Sequence, residues 1–162
     1  MSSALKNLSQ VASIPSAKGI RFGILVSEWN SSITESLFDA TYETLIQNGA
    51  NKKNILRRDV PGSFELTLGA QLFATDKNID AVICLGCVIQ GETKHFDFIC
   101  QAMADGLTNL NIKFNKPIIF GVLTTNTLKQ AQDRSGGKHG NKGVEAAVTA
   151  IKMVRLQKIF RK

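Results

Sequence analysis

The sequence predicts an α/β fold: a mostly parallel sheet with helices on both faces. Three observations lead there. Short apolar runs alternate with longer amphipathic ones along the 162 residues. One of those runs, residues 81–88, is apolar on both alternating faces, the pattern of a strand in the middle of a sheet. And 43% hydrophobic residues are enough for the core of one domain of this length. We therefore expect a single domain over 1–162, with residues 1–13 a loose leading segment.

The elements follow in order. Residues 20–26 read as a strand. Residues 31–47 carry Ile33, Leu37, Ala40, Thr41 and Leu45 at helical spacing, with a capping box expected from Ser32 and Glu35 and a stop at Asn48-Gly49. A more polar strand, expected nearer an edge, covers 54–60. Pro61-Gly62 turns the chain into a helix over 64–74, with Leu68 and Leu72 on one face. After the central strand, a helix over 95–111 bears Phe98, Ala102 and Leu107, flanked by Ile99, Met103 and Leu110. The fourth strand covers 117–123, a short helix 127–134, and a last helix 141–157 with Val144, Val148, Ile151, Met153 and Val154. The predicted order is β-α-β-α-β-α-β-α-α.

Composition narrows the function. Twenty Lys+Arg against thirteen Asp+Glu give a net charge of +7, which excludes an acidic disordered chain and leaves an anionic partner open. No apolar run approaches the ~18 residues of a membrane helix, and the polar, Ser-rich start lacks a signal-peptide core. A cytoplasmic protein without a membrane partner is expected. Three cysteines make no disulfide framework. Cys84 and Cys87 form a C-x-x-C, but residues three apart on a strand face opposite ways, so buried thiols fit better than a redox or zinc pair.

Ligands of open parallel sheets bind beyond the carboxyl ends of the strands. After the first strand comes Ser27-Glu28-Trp29-Asn30, whose Trp29, the single Trp, suits stacking on a flat heterocycle. After the second comes Val60-Pro61-Gly62-Ser63-Phe64-Glu65, with backbone donors at a helix start. After the third comes Ile89-Gln90-Gly91-Glu92-Thr93-Lys94-His95-Phe96-Asp97, where His95 is a candidate for proton transfer and Asp97 a candidate to orient its ring. After the fourth, Arg134 to Gly143 holds four glycines with Arg134, Lys138 and Lys142, a composition suited to phosphate. Taken singly, each also fits a packing aromatic, an ordinary turn, a solvent-facing His or a basic loop. Together they suggest a planar polar heterocycle plus an anionic group. No dinucleotide fingerprint, P-loop or metal-ligand spacing is present, so no cofactor and no metal are expected.

These segments resemble the lumazine synthase family of riboflavin biosynthesis. The likeness runs from about residue 14 to 156. It rests on 60–65, on 86–97 (Gly-Cys-Val-Ile-Gln-Gly-Glu-Thr-Lys-His-Phe-Asp), on Gly121-Val122-Leu123-Thr124-Thr125, and on Gly140-Asn141-Lys142-Gly143. The resemblance implies a flavodoxin-like three-layer fold with a four-stranded parallel sheet. It implies condensation of 5-amino-6-(D-ribitylamino)uracil with 3,4-dihydroxy-2-butanone 4-phosphate, giving 6,7-dimethyl-8-ribityllumazine, phosphate and water.

By the same resemblance, Trp29 stacks on the pyrimidinedione, where the family often has Phe. Ser63, Phe64 and Glu65 bind the uracil and ribityl groups, and Cys87, Val88 and Ile89 hold the ring from the strand end. Glu92 and Thr93 serve the butanone phosphate, Glu92 through its backbone. His95 is the catalytic residue. Phe120 and Arg134 come from a neighbouring subunit, one to the ring and the other to the phosphate. Lys142 and Glu145 match the family pattern without an assigned role. A homopentamer is implied. The short connection from Arg134 to Gly143 resembles that of members forming a 60-subunit icosahedral shell, and the resemblance extends to riboflavin synthase as the partner of such a shell.

Other classes fit less well. Lys152, Arg155, Lys158, Arg161 and Lys162 crowd the last eleven positions, but no nucleic-acid-binding signature accompanies them, so no nucleic-acid partner is expected and a solvated face is the reading. A riboflavin synthase of similar fold, or a non-catalytic flavin-binding module, is the remaining alternative. The module would share Trp29 but would not need His95 and Arg134 together.

Overall fold

The computed structural model describes residues 13–161. Most of the expected leading segment, and Lys162, therefore lie outside the described residues. Four strands, β1 (Phe22–Ser27), β2 (Ile55–Val60), β3 (Ala81–Ile89) and β4 (Ile118–Thr125), form one all-parallel sheet in the order β2-β1-β3-β4. Helices α1 (Ser31–Gln47), α4 (Leu128–Asp133) and α5 (Lys142–Phe160) cover one face. Helices α2 (Leu66–Thr75) and α3 (His95–Phe114) cover the other. This is the three-layer, flavodoxin-like α/β arrangement expected from the sequence. The chain leaves β1 outward to β2 and then returns past it to β3, so the topological switch falls between β1 and β3.

The side-chain period of two divides the core between the faces. Phe22, Ile24 and Val26 point to α1 and α5, while Leu25, Val82 and Cys84 point to α2 and α3. Cys84 and Cys87 enter opposite core clusters, as their spacing on a strand requires. Burial raises both thiols, Cys87 to about 11, so neither is a thiolate near neutral pH. β2 lies at an edge and is only part-buried, which matches its polar sequence. Helices α1 and α5 pack closely through Gly143, where a Cβ would strike the Leu37 carbonyl. Thr41 donates to the Gly143 carbonyl at 3.0 Å across that contact.

Several local expectations are corrected. The Ser32–Glu35 capping box does not form. Asn30 is the N-cap of α1, in left-handed conformation, and Glu35 instead turns to Arg57 on β2 (2.8 Å). Charge pairing with a neighbouring strand outweighs a local cap there. Leu68 and Leu72 do share a face, but it is the exposed one; Leu66, Gly69, Ala70 and Ala74 face the core. On α3 the buried face is Met103, Leu107 and Leu110, with Phe98 exposed. On α5, Met153 is exposed beside the buried Ile151 and Val154. The glycine-rich stretch is a small antiparallel ribbon, β5 (Ser135–Gly137) with β6 (Gly140–Asn141), turned by Gly136 and Gly140 at positive φ. Nor is the basic C-terminal end purely a solvated face. Arg155 donates to the Ser16 carbonyl at 2.6 Å and the Lys18 carbonyl at 3.1 Å, and Arg161 to the Asn115 carbonyl at 3.2 Å.

Candidate active site

A cavity of about 630 Å³ opens at the carboxyl ends of β1, β2 and β3, beside the topological switch. Each strand end gives it a wall. From the loop after β1 come Trp29 and Asn30; from the turn after β2, Gly62, Ser63, Phe64 and Glu65. From the end of β3 come Cys87, Val88 and Ile89, and from the first turns of α3, His95 and Ile99. Eight of the residues expected at a site are therefore brought together: Trp29, Ser63, Phe64, Glu65, Cys87, Val88, Ile89 and His95.

The walls are tied to one another by backbone bonds. Glu28 N–H donates to the Val60 carbonyl (2.9 Å) and Trp29 N–H to the Pro61 carbonyl (3.2 Å). The Asn30 side chain donates to the Cys87 carbonyl at 3.0 Å. Asn30 stands at φ 58°, a left-handed conformation that Asn tolerates better than most residues. Gly62 lets the walls meet: a Cβ there would lie 3.1 Å from a Glu65 carboxylate oxygen and 3.4 Å from the Trp29 ring. Trp29 and Phe64 remain 72% and 54% exposed, two aromatic faces free to cover a flat ligand. His95 opens α3, its N–H donating to Thr93 Oγ1 at 3.3 Å. Its ring is exposed, and among the described residues nothing hydrogen-bonds it, Asp97 included. It lines the cavity without a hydrogen-bond partner among the described residues, free to meet a ligand there.

Glu92 and Thr93 lie in the exposed turn just before α3, next to the cavity wall rather than in it. Phe120 and Arg134 are elsewhere. Phe120 pairs with Cys84 in the β3–β4 register, three residues short of Cys87, which places it about 10 Å back along the sheet. It is 37% exposed at the β4 edge, in a separate hollow of about 380 Å³ whose lining includes Lys142, Glu145, Ala146 and Met153. The two cavities share no residue. Arg134 donates to Glu145 (2.8 Å) and to the His139 carbonyl (2.8 Å), and Lys142 reaches the other Glu145 oxygen at 3.3 Å. Glu145 is buried, so one carboxylate anchors two cations beside that hollow.

Sequence reasoning missed Asn30 and Ile99 as wall residues. Ile99 was legible as the position one turn after His95 on the same helix face. Asn30 gave no signal, because its bond to Cys87 links segments 57 positions apart.

A parallel α/β domain with a preformed strand-end cavity, an aromatic pair and an unengaged His is an enzyme scaffold for a small planar substrate. Comparison with known proteins narrows that class. The model of the 6,7-dimethyl-8-ribityllumazine synthase family matches residues 19–158. The chain is 61% identical over 155 residues to the 6,7-dimethyl-8-ribityllumazine synthase of Cytophaga hutchinsonii, covering 95% of this chain and 98% of the relative. It is 50% identical over 161 residues to that of Porphyromonas gingivalis, covering 98% and 100%. To that of Parabacteroides distasonis it is 51% identical over 156 residues, covering 95% and 98%. The chain belongs to the 6,7-dimethyl-8-ribityllumazine synthase family.

Proposed function

We propose that the protein is a transferase that condenses 5-amino-6-(D-ribitylamino)uracil with 3,4-dihydroxy-2-butanone 4-phosphate. The products are 6,7-dimethyl-8-ribityllumazine, phosphate and water, in the penultimate step of riboflavin biosynthesis. The observation that carries this reading is the strand-end cavity, where Trp29, Phe64, Val88 and His95 meet in a chain of this family.

The pyrimidinedione lies against Trp29 and Phe64, with Ser63, Glu65 and the 87–89 backbone at its polar edges. The uracil amine attacks the ketone, whose oxygen leaves as water to give an imine; phosphate is eliminated, and the ribitylamino nitrogen closes the ring on the remaining carbonyl, whose oxygen leaves as a second water. Holding both substrates side by side supplies much of the acceleration, up to ~7–11 kcal/mol for well-oriented partners. His95 moves protons between amine, ketone and leaving oxygen. Glu92 through its backbone and Thr93 through its hydroxyl hold the phosphate at the start of α3.

Phe120 and Arg134 reach the site from the neighbouring subunit of a homopentamer. The placement of Phe120 at the β4 edge and of Arg134 at the end of α4, both outside the cavity lining of their own chain, supports this. The Arg134 guanidinium then binds the phosphate and assists its departure by charge. Twelve pentamers form a 60-subunit shell, for which the short Arg134–Gly143 connection is the supporting feature, and riboflavin synthase is its proposed companion in the cytoplasm. Incubation with both substrates tests the activity. Appearance of lumazine absorbance, dependent on each substrate, is the expected result. A light-scattering mass of a lone pentamer across several buffers counts against the shell.

A further inference from the structure

Among the described residues one charged side chain is buried, Glu145, at 9% exposed. It stands in the first turn of α5. Its Oε1 accepts from Arg134 Nη2 at 2.8 Å, and its Oε2 from Lys142 Nζ at 3.3 Å. The other terminal nitrogen of Arg134, Nη1, donates to the His139 carbonyl at 2.8 Å. The backbone joins the same residues, with Lys142 N–H donating to the Arg134 carbonyl at 2.9 Å. Asp133, the carboxylate next to Arg134 in the chain, is ion-paired with Lys129 instead.

Arg57 supplies a contrast. It too has charged partners, but they are two carboxylates, Glu35 and Asp59, so that cluster carries a negative charge in excess. Around Arg134 the balance is reversed: two cations share one carboxylate, and a positive charge is in excess. Burying a carboxylate is a poor way to gain stability, since an apolar residue of like volume often serves as well or better. What it does provide is direction. A guanidinium is planar, and partners on both terminal nitrogens set its plane. Glu145 and His139 each take one N–H of Arg134, and among the described residues the rest stay uncommitted. Phosphate oxygens accept from such a fork, and a group set in place before its ligand arrives loses less rotamer freedom on binding.

We propose that Glu145 is a positioning residue for Arg134. It fixes the plane of the guanidinium, and Lys142 on its second oxygen leaves the cluster with the surplus positive charge that a phosphate offsets. The inference rests on the proposed use of Arg134 on the butanone phosphate. Glu145 itself touches no substrate.

Steady-state kinetics and inhibition by inorganic phosphate, measured on the assembled protein, test it. Glu145→Ala is expected to raise the KM for the butanone phosphate about 5- to 10-fold, and to weaken inhibition by inorganic phosphate by the same factor, the scale of a charge-assisted bond. The KM for ribitylaminouracil should stay within about twofold, because the loss is confined to one substrate. Glu145→Gln keeps an acceptor for Nη2 and should recover most of the loss, to within about threefold of wild type. Lys142→Met removes the surplus charge and should weaken phosphate inhibition about threefold. In an Arg134→Ala background, Glu145→Ala should change neither quantity further. If the Ala variant fails to fold, Glu145→Leu, closer to Glu in volume and without an acceptor, carries the same expectation.

Three results overturn the inference: phosphate inhibition and KM unchanged in folded Glu145→Ala or Glu145→Leu, a Gln variant as impaired as these, or an equal effect of Glu145→Ala with and without Arg134. Phosphate inhibition unchanged in Lys142→Met overturns the part given to surplus charge. A wild-type protein that makes no lumazine overturns the reaction, and this inference with it. An active enzyme whose phosphate affinity needs Arg134 but not Glu145 overturns the inference alone.

Discussion

The strand-end cavity and the β4-edge hollow are built on opposite plans. In the cavity, aromatic rings and a histidine stand exposed and unengaged, while the backbone behind them is stitched together. At the β4 edge the charged groups are already engaged: Glu145, buried, holds both Arg134 and Lys142. The first region offers shape and an unpaired imidazole, and the second offers guanidinium and ammonium groups held on one carboxylate. The proposed reaction joins a heterocyclic amine to a separate butanone phosphate, and so draws on both. The difference teaches that aromatic surface and paired charge are segregated on one chain, which is why the proposed reaction calls on a second copy to bring them together.

The comparison breaks most directly at His95. His95→Ala is expected to lower kcat by about 100-fold while leaving residual turnover, since proton transfer is one contribution among several. An unchanged kcat in steady-state assays removes His95 from proton transfer and reduces the cavity to a binding cleft. Arg134→Ala should act on the other half, raising the KM for the butanone phosphate about 10-fold or more through loss of charge-assisted bonds. If instead only thermal stability falls, the Arg134–Glu145 pair is a structural anchor and nothing more.

Gly143→Ala sharpens the contrast through packing. A Cβ there meets the Leu37 carbonyl, forcing α5 away from α1. Overpacking of this kind costs about 1–3 kcal/mol, so calorimetry should show a melting point lower by roughly 2–12 °C. The cavity is remote from that contact, and lumazine binding by folded protein should survive.

The smallest effect concerns the Glu35–Arg57 pair. Hydrogen bonding to Arg57 holds the Glu35 carboxyl below its ordinary value. A depressed folded value means the pair stabilises above the unfolded value of about 4.5, and that this is lost as pH falls through the folded value. Both side chains are partly exposed, so screening leaves a modest contribution. Melting curves between pH 3 and 6 should show a shallower acid slope for Glu35→Gln. An identical slope would mean the pair contributes nothing.

Legibility in the sequence followed the range of the interactions. The four strands and their polarity could be read because burial on one or two faces writes a period into the chain, as β2 and β3 show. The walls of the cavity could be read because they follow strand ends in sequence. What escaped depended on distant partners. The Ser32–Glu35 cap failed because Arg57, 22 positions on from Glu35, claimed that carboxylate. Phe98 was placed on the core face of α3, since its spacing to Ala102 is as good as that of Met103 to Leu107; which stripe faces inward is decided by the sheet. The β5–β6 ribbon escaped because two- and three-residue strands carry no period.

The claim that the two half-sites work together across subunits has one direct test. His95→Ala and Arg134→Ala chains, each impaired alone, are co-expressed with different tags and the mixed assemblies purified. If the cavity of one subunit uses the Arg134 of its neighbour, random mixing restores about a quarter of the sites, each with both residues intact. Lumazine formation should then rise well above the average of the two variants. Activity no greater than that average would contradict the account, and place Arg134 in the service of its own chain.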